Sequence, residues 1–260
     1  MKNASERGRP NSDESRPATH AILIVGAGGM LGTALTRMAP SRGYAPHAYT
    51  EAQLDITDRE AVRNVVAEFT IGAAEAQVAA AVVNAAAYTD VEKAEEDADR
   101  AFLINETAPG WLAEAAQENG LAFVHVSTDY VFDGLKGEPY GENDVPNPLS
   151  VYGASKAAGE AAVSTLSRHL IVRIPLQYGY FAADDDSFLI KAIRRINAGG
   201  IIELDDTQIR YPTLSDDVAS ALAALIPSGV TGIVHLSGPT RMTRYSMFTE
   251  IAGVFGCTHA

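Results

Sequence analysis

The stretch Ala21-Ile-Leu-Ile-Val-Gly-Ala-Gly-Gly-Met-Leu-Gly32 decides how this chain is read. Its first five residues form a continuous apolar run, the pattern of a strand covered on both faces of a parallel sheet. Four glycines (Gly26, Gly28, Gly29 and Gly32) follow at once, and 31–38 is made of helix-forming residues. Strand, glycine turn and helix in that order open a dinucleotide-binding unit, because glycine lets backbone approach a pyrophosphate held at the helix N-terminus. The spacing here is Gly26-x-x-Gly29-x-x-Gly32, with Leu31 where the common G-x-G-x-x-G pattern has its last glycine.

Outward from that unit, a second strand is expected at 45–49, interrupted by Pro46 and ending in Tyr49-Thr50-Glu51. A carboxylate at this point binds the ribose hydroxyls of NAD, whereas an arginine accepts the phosphate of NADP. Glu51 tilts the choice towards NAD and Arg42 stands close in sequence, so the cofactor is read as NAD(P)(H) with the preference open. Thr57 and Glu60 read as a capping box that opens a helix running to Phe69, and Asp55 either faces adenine or closes a turn. A third strand, 78–84, ends in Asn84-Ala85-Ala86-Ala87-Tyr88, small residues that admit a flat ligand at a strand's carboxyl end. One helical region over 92–119 follows, in which Asn105, among Phe102, Leu103 and Ile104, is expected to be buried and to hold an inner hydrogen bond.

The chemistry is concentrated in the next stretch. A strand carrying Phe123, Val124 and Val126 ends in Ser127-Thr128-Asp129-Tyr130, and Tyr152-Gly-Ala-Ser-Lys156 comes after it. Four residues apart on a helix, Tyr152 and Lys156 share one face. An ammonium beside a phenol favours the phenolate and is expected to lower the tyrosine pKa from about 10. A hydroxyl from Thr128 or Ser127 can hold a carbonyl oxygen against that phenol, which implies proton transfer to a ketone oxygen while hydride reaches its carbon. His125 alternates with apolar residues inside the strand and reads as a packed, hydrogen-bonded side chain.

Composition narrows the class. With 260 residues, 47% of them hydrophobic, the chain can bury a large core, and a net charge of -13 argues against nucleic-acid and membrane-surface partners, which are themselves anionic. One cysteine, Cys257, excludes a disulfide framework, and six histidines show no metal-ligand spacing. The polar residues 1–19 read as a disordered extension without a signal core, so a cytoplasmic location is expected. A dinucleotide-binding domain with the catalytic residues is expected over 20–175. A mainly substrate-binding lobe over 176–260 is expected to return some segments to the main sheet: helices over 187–198, 215–225 and 245–255, strands over 201–204 and 232–236, and an acidic loop at 184–186.

Taken together, Gly26-x-x-Gly29-Met-Leu-Gly32, Leu54-Asp-Ile-Thr-Asp58, Val83-Asn-Ala-Ala-Ala-Tyr-Thr89, Val126-Ser-Thr-Asp-Tyr-Val-Phe-Asp-Gly134 and Tyr152-Gly-Ala-Ser-Lys156 carry a resemblance. The chain resembles the extended short-chain dehydrogenase/reductases, and within them the dTDP-4-dehydrorhamnose reductase family. The resemblance implies an α/β fold, a Rossmann-type doubly wound parallel sheet with a small C-terminal substrate lobe. It implies a ketoreductase acting on a nucleotide-linked 4-keto-6-deoxysugar or another specialised-metabolite ketone, with Thr128, Tyr152 and Lys156 as catalytic trio. Gly26, Gly29, Met30 and Leu31 would lie along the pyrophosphate; Asp55, Ile56, Ala85, Ala86 and Ala87 would lie on the adenosine and ribose side, and Lys156 would bind the nicotinamide ribose. Substrate candidates are Tyr88, Asp129, Arg173, Arg210 and Tyr211, with an internal ion pair as the other role for Arg173. Arg173-Ile-Pro-Leu176 replaces the family's aromatic-bearing string, and Arg173-Ile-Pro-Leu-Gln-Tyr-Gly179 with Gln208-Ile-Arg-Tyr-Pro-Thr213 looks closer to the methionine adenosyltransferase beta-subunit branch. That likeness keeps two alternatives: a cofactor-binding regulatory subunit with a partner enzyme, and a reductase or dehydrogenase of a non-sugar substrate. Relatives usually continue beyond the 245–255 segment, so part of the substrate surface or of a homodimer surface is expected to be missing.

Overall fold

The computed structural model describes residues 18–179, 188–198, 203–254 and 256. Six parallel strands form the main sheet: β1 (His20–Val25), β2 (Tyr44–Tyr49), β3 (Ala79–Asn84), β4 (Ala122–Thr128), β5 (His169–Ile174) and, after the short β6 (Gln177–Tyr178) and β7 (Thr213–Leu214), β8 (Gly232–His235). The spatial order is β2-β1-β3-β4-β5-β8, and β6 pairs with β7 in a separate two-stranded sheet. The helices are α1 (Met30–Met38), α2 (Arg59–Glu75), α3 (Val91–Glu96), α4 (Ala98–Phe102), α5 (Ala108–Glu118), α6 (Val151–Ser164), α7 (Phe188–Asn197), α8 (Ser215–Ser228) and α9 (Arg244–Val254).

Alternation along β1 explains the two layers. Ile22 and Ile24 pack with α1 and α8 through Leu31, Leu35, Val218 and Leu222. Ala21, Leu23 and Val25 face the other side, with Val62 and Val66 of α2 and Leu112 of α5. Both faces are apolar, so the run reads as continuous in sequence. Strand order reverses between β1 and β3, which opens a crevice at their carboxyl ends. Pro46 is tolerated because β2 is an edge strand.

Three expectations are corrected. Thr57 does not cap α2: its hydroxyl donates to Asp55, and Asp58 accepts from the amides of Glu60 and Ala61 instead, starting a helix that runs past Phe69 to Glu75. The helical region over 92–119 is broken, with α3 ending at Glu96 and a π-turn over Leu103–Thr107. Pro109 has no N–H to offer the Asn105 carbonyl, so the α ladder is interrupted there. Within 201–204, residues 203 and 204 are not strand. Residues 201 and 202, the acidic loop at 184–186, most of the 1–19 extension and Cys257 lie outside the described residues.

Candidate active site

The crevice is built first from backbone. Gly26 adopts φ +85°, and a Cβ there would lie 2.5 Å from the Ala86 amide nitrogen. At Gly32 a Cβ would lie 2.2 Å from the Gly26 carbonyl oxygen, so β1, its turn and α1 close tightly only with glycine at both positions. The amides of Gly26 and Ala27 are held by the Tyr49 carbonyl at 3.0 and 2.9 Å. Gly29 is the N-cap of α1, exposed, with no side chain capping the helix and no acidic residue in its first turn. Amides left free at a helix start favour an anion, so this turn fits the pyrophosphate of a dinucleotide. Met30 is half-buried beside it, while the Leu31 side chain is in the core and leaves only its backbone to the turn. Next to the turn, Ala27, Thr33, Thr36, Arg37, Ala48 and Thr50 line a shallow cavity of about 340 Å³.

Across the switch point, Ala85, Ala86 and Ala87 lie half-buried at the end of β3. Asn84 is fully buried; its Oδ1 accepts from the Ala86 amide at 3.1 Å and its amide group meets His125 Nδ1 at 3.3 Å. Asn105, in the π-turn, accepts from the Tyr88 amide at 2.9 Å and donates to the Tyr88 carbonyl at 3.0 Å and the Ser155 hydroxyl at 2.9 Å. It therefore ties the β3 loop to α6, as its buried polar character implied. Asp55 is exposed and closes a turn on Thr57, whose hydrogen bonds lower its pKa, and Ile56 is buried in the core.

The second half is made of side chains on β4 and α6. Ser150 caps α6 by accepting from the Gly153 amide at 3.1 Å, which starts the helix one residue before Tyr152. A Cβ at Gly159 would lie 2.0 Å from the Asn105 carbonyl oxygen, so α6 can sit this close to the π-turn only with glycine there. Thr128, at the end of β4, accepts from the Tyr130 amide at 3.2 Å, and its hydroxyl offsets part of the shift at Tyr152. Lys156 is 2% exposed and donates to the Val126 carbonyl at 2.7 Å.

This geometry corrects the expected coupling between Tyr152 and Lys156. Burial pushes the Tyr152 phenol up to about 12, so it is held protonated, as a proton donor. Burial also pushes the Lys156 ammonium down to about 8, against the pull of Glu160. The ammonium spends its hydrogen bond on Val126 rather than on the phenol.

Arg173 takes the internal role. It is 3% exposed, its Nη2 and Nε reach Glu160 at 2.7 and 2.9 Å, and its guanidinium stacks on Phe132 at 4.9 Å. Glu160 also accepts from Ser127 at 2.5 Å. This buried Ser127–Glu160–Arg173 network was missed as a unit, although Glu160 follows Lys156 by four residues on the same helix face. Arg210 and Asp129 come together at 3.0 Å, whereas Tyr211 is half-buried with its carbonyl accepting from Thr213. His125 is fully buried and neutral, its pKa driven well below 6.5 by burial and by Lys156.

From β1 to β4 there are two strand spacings, about 10 Å, so the glycine turn and the Tyr152 phenol stand at the two ends of one crevice. Known proteins are similar to this chain in sequence and fold. The family model described as RmlD substrate binding domain matches residues 20–259. The dTDP-4-dehydrorhamnose reductase of Mycolicibacterium smegmatis is 36% identical over 86% of this chain and 66% of its own length. That of Aggregatibacter actinomycetemcomitans is 37% identical over 88% of this chain and 77% of its own. The chain thus spans about two thirds to three quarters of these curated relatives. A solved dTDP-4-dehydrorhamnose reductase from Bacillus anthracis, in complex with NADP, superposes with TM-score 0.83 at 31% identity, covering 91% of this chain and 80% of that one. The UDP-glucose 4-epimerase of Thermus thermophilus shares the fold with TM-score 0.77 at 23% identity. With its glycine turn, its β4 hydroxyl and its Tyr152–Lys156 helix in place, the chain belongs to the RmlD substrate-binding-domain family.

Proposed function

We propose that this chain is an NAD(P)H-dependent ketoreductase that reduces the ketone of a nucleotide-linked 4-keto-6-deoxysugar. The carrying observation is the meeting of the half-buried Tyr152 phenol, in the first turn of α6, with the buried Thr128 hydroxyl at the end of β4, the phenol being held protonated there. The relatives named above, and a Streptomyces niveus dTDP-4-keto-6-deoxy-D-glucose reductase 34% identical over 88% of this chain, support the substrate class. Gly26, Gly29 and the backbone at Met30 and Leu31 hold the pyrophosphate; Asp55, Ala85, Ala86 and Ala87 line the adenosine and ribose side, and Lys156 with Tyr152 faces the nicotinamide ribose. When bound, the reduced nicotinamide supplies hydride to the ketone carbon. Thr128 holds the ketone oxygen, and Tyr152 donates its phenolic proton to that oxygen as negative charge develops. Lys156, fixed on the Val126 carbonyl, would act by holding the nicotinamide ribose rather than on the phenol itself.

Segments 176–179 and 203–214 together with α7 and α9 form the substrate lobe, while β8 and α8 belong to the main sheet and its cover. A homodimer and a cytoplasmic location complete the reading; among the described residues no helix is long and apolar enough to cross a membrane. The test is oxidation of NADH and NADPH against dTDP-linked 4-ketosugars and simple ketones. Turnover with the sugars supports the proposal, and turnover with simple ketones alone assigns a non-sugar substrate. Tight cofactor binding without turnover, with a larger enzyme co-purifying, returns the regulatory-subunit reading.

A further inference from the structure

One side chain from late in the chain holds the neighbours of the acid. Arg210 stands 81 residues after Asp129, yet its Nη1 donates to Asp129 Oδ2 at 3.0 Å and its Nη2 to Gln208 Oε1 at 2.9 Å. Its guanidinium lies 4.5 Å from the centre of the Tyr130 ring. Tyr130 in turn meets Tyr152 edge to face, with ring centres 5.6 Å apart and planes at 77°. The Asp129 carboxylate accepts from the Thr128 hydroxyl at 3.3 Å. Arg210 is itself anchored, its backbone exchanging two hydrogen bonds with Met242 at 2.7 and 2.9 Å.

We propose that Arg210 is a positioning residue for the reduction, holding Asp129 and Tyr130 so that the Thr128 hydroxyl and the Tyr152 phenol meet one carbonyl oxygen. The inference rests on the ketoreductase reading and goes beyond it, because it makes the 203–242 segment part of the catalytic geometry. A guanidinium can pair with a carboxylate at its edge while its face covers an aromatic ring, and a lysine cannot do both. Burial raises the pKa of Asp129 above its ordinary value, and Arg210 opposes part of that rise by pairing with the carboxylate. At 3.3 Å the Thr128 bond is long: the hydroxyl is aimed, yet free to turn its proton to a ketone.

The test is a cycle of Arg210→Met, Asp129→Asn and the double variant, with Arg210→Lys as the conservative change. Arg210→Met is expected to lower kcat roughly tenfold to a hundredfold through misplacement of the acid, with the Kd for NADPH unchanged. Arg210→Lys should recover part of that loss, and in the Asp129→Asn background Arg210→Met should add little. Unchanged kcat, a change in KM alone, or losses that multiply in the double variant would overturn the proposal. Hydrogen–deuterium exchange over 127–132 with NADPH bound reads the same anchoring without turnover. Faster exchange in Arg210→Met supports the anchoring even if the wild type ignores every ketosugar, which would refute the function alone; unchanged exchange overturns the anchoring.

Discussion

The two ends of the crevice are made of different material. At the β1–β3 end the polar groups are backbone, and α1 opens with no side-chain cap and no acidic residue in its first turn. Three other helices carry side-chain caps, Asp58 on α2, Asp90 on α3 and Ser150 on α6, while α4, α5 and α8 share with α1 the lack of one. At the β4–α6 end the polar groups are side chains: Lys156, Glu160 and Arg173 are all under 5% exposed and already hydrogen-bonded to the protein. One end leaves its donors for a ligand, which suits the pyrophosphate proposed there. The other satisfies itself and accepts the cost of desolvation, so it holds a proton and a charge in place.

By that division the largest effect belongs to the acid. Tyr152→Phe should lower kcat by roughly a hundredfold to ten-thousandfold, the usual worth of a positioned acid, and leave NADPH affinity within about twofold. Stopped-flow turnover with fluorescence titration reads both quantities, and high residual activity would remove Tyr152 from its role. Glu160→Ala should act on stability instead, because it strands the buried Arg173 guanidinium. A loss of about 3–5 kcal/mol in urea unfolding is expected, with Glu160→Gln milder. If Glu160→Ala unfolds like the wild type, the network is not internally satisfied and the contrast between the two ends fails.

Lys156 gives the contrast a pH dependence. Its folded pKa of about 8 lies below the unfolded value of 10.5. Below pH 8 the lysine is charged in both states and burial opposes folding in full. Between about 8 and 10.5 the unfolded chain keeps a proton the folded one has released, so stability rises with pH, and above 10.5 the penalty is gone. Relative to Lys156→Met, the wild type should gain on the order of 3 kcal/mol across that window, measured by urea unfolding at each pH. A difference flat with pH would mean that Lys156 is not desolvated.

The same division explains what could be read in advance. The glycine turn, the strand covered on both faces and the placing of Tyr152 and Lys156 on one helix were legible because each depends on local sequence: a continuous apolar run in β1, glycine where backbones touch, four residues along α6. Asn105 was legible as a buried polar group among apolar neighbours. What distance in sequence assembles was not. The Arg210–Asp129 pair spans 81 residues, and the direction of the Tyr152 shift depends on burial and on where Lys156 spends its proton, neither of which spacing reveals. Thr57 misled because S/T-x-x-E matched a capping pattern one residue early, while Asp55 had already claimed its hydroxyl.

The smallest effect tests the anion end most directly, by giving α1 the cap it lacks. Gly29 sits at φ -78° and ψ 172°, a conformation any residue adopts, and a Cβ there would meet only the Gly26 carbonyl oxygen, at 3.5 Å. Gly29→Ser therefore fits without strain and offers its hydroxyl to the amides of the first turn. By the ordinary value of a cap and of a lost glycine, folding should gain roughly 0.5–1 kcal/mol. The same hydroxyl competes with the pyrophosphate, so the Kd for NADPH should rise by about fivefold, the equivalent of ~1 kcal/mol. Asp58→Ala is the matched control: it removes a cap from α2 and should cost about 1 kcal/mol of stability with NADPH affinity unchanged. A Gly29→Ser protein that is stabilised and binds NADPH as tightly as before would show that the free amides of α1 are not where the anion sits.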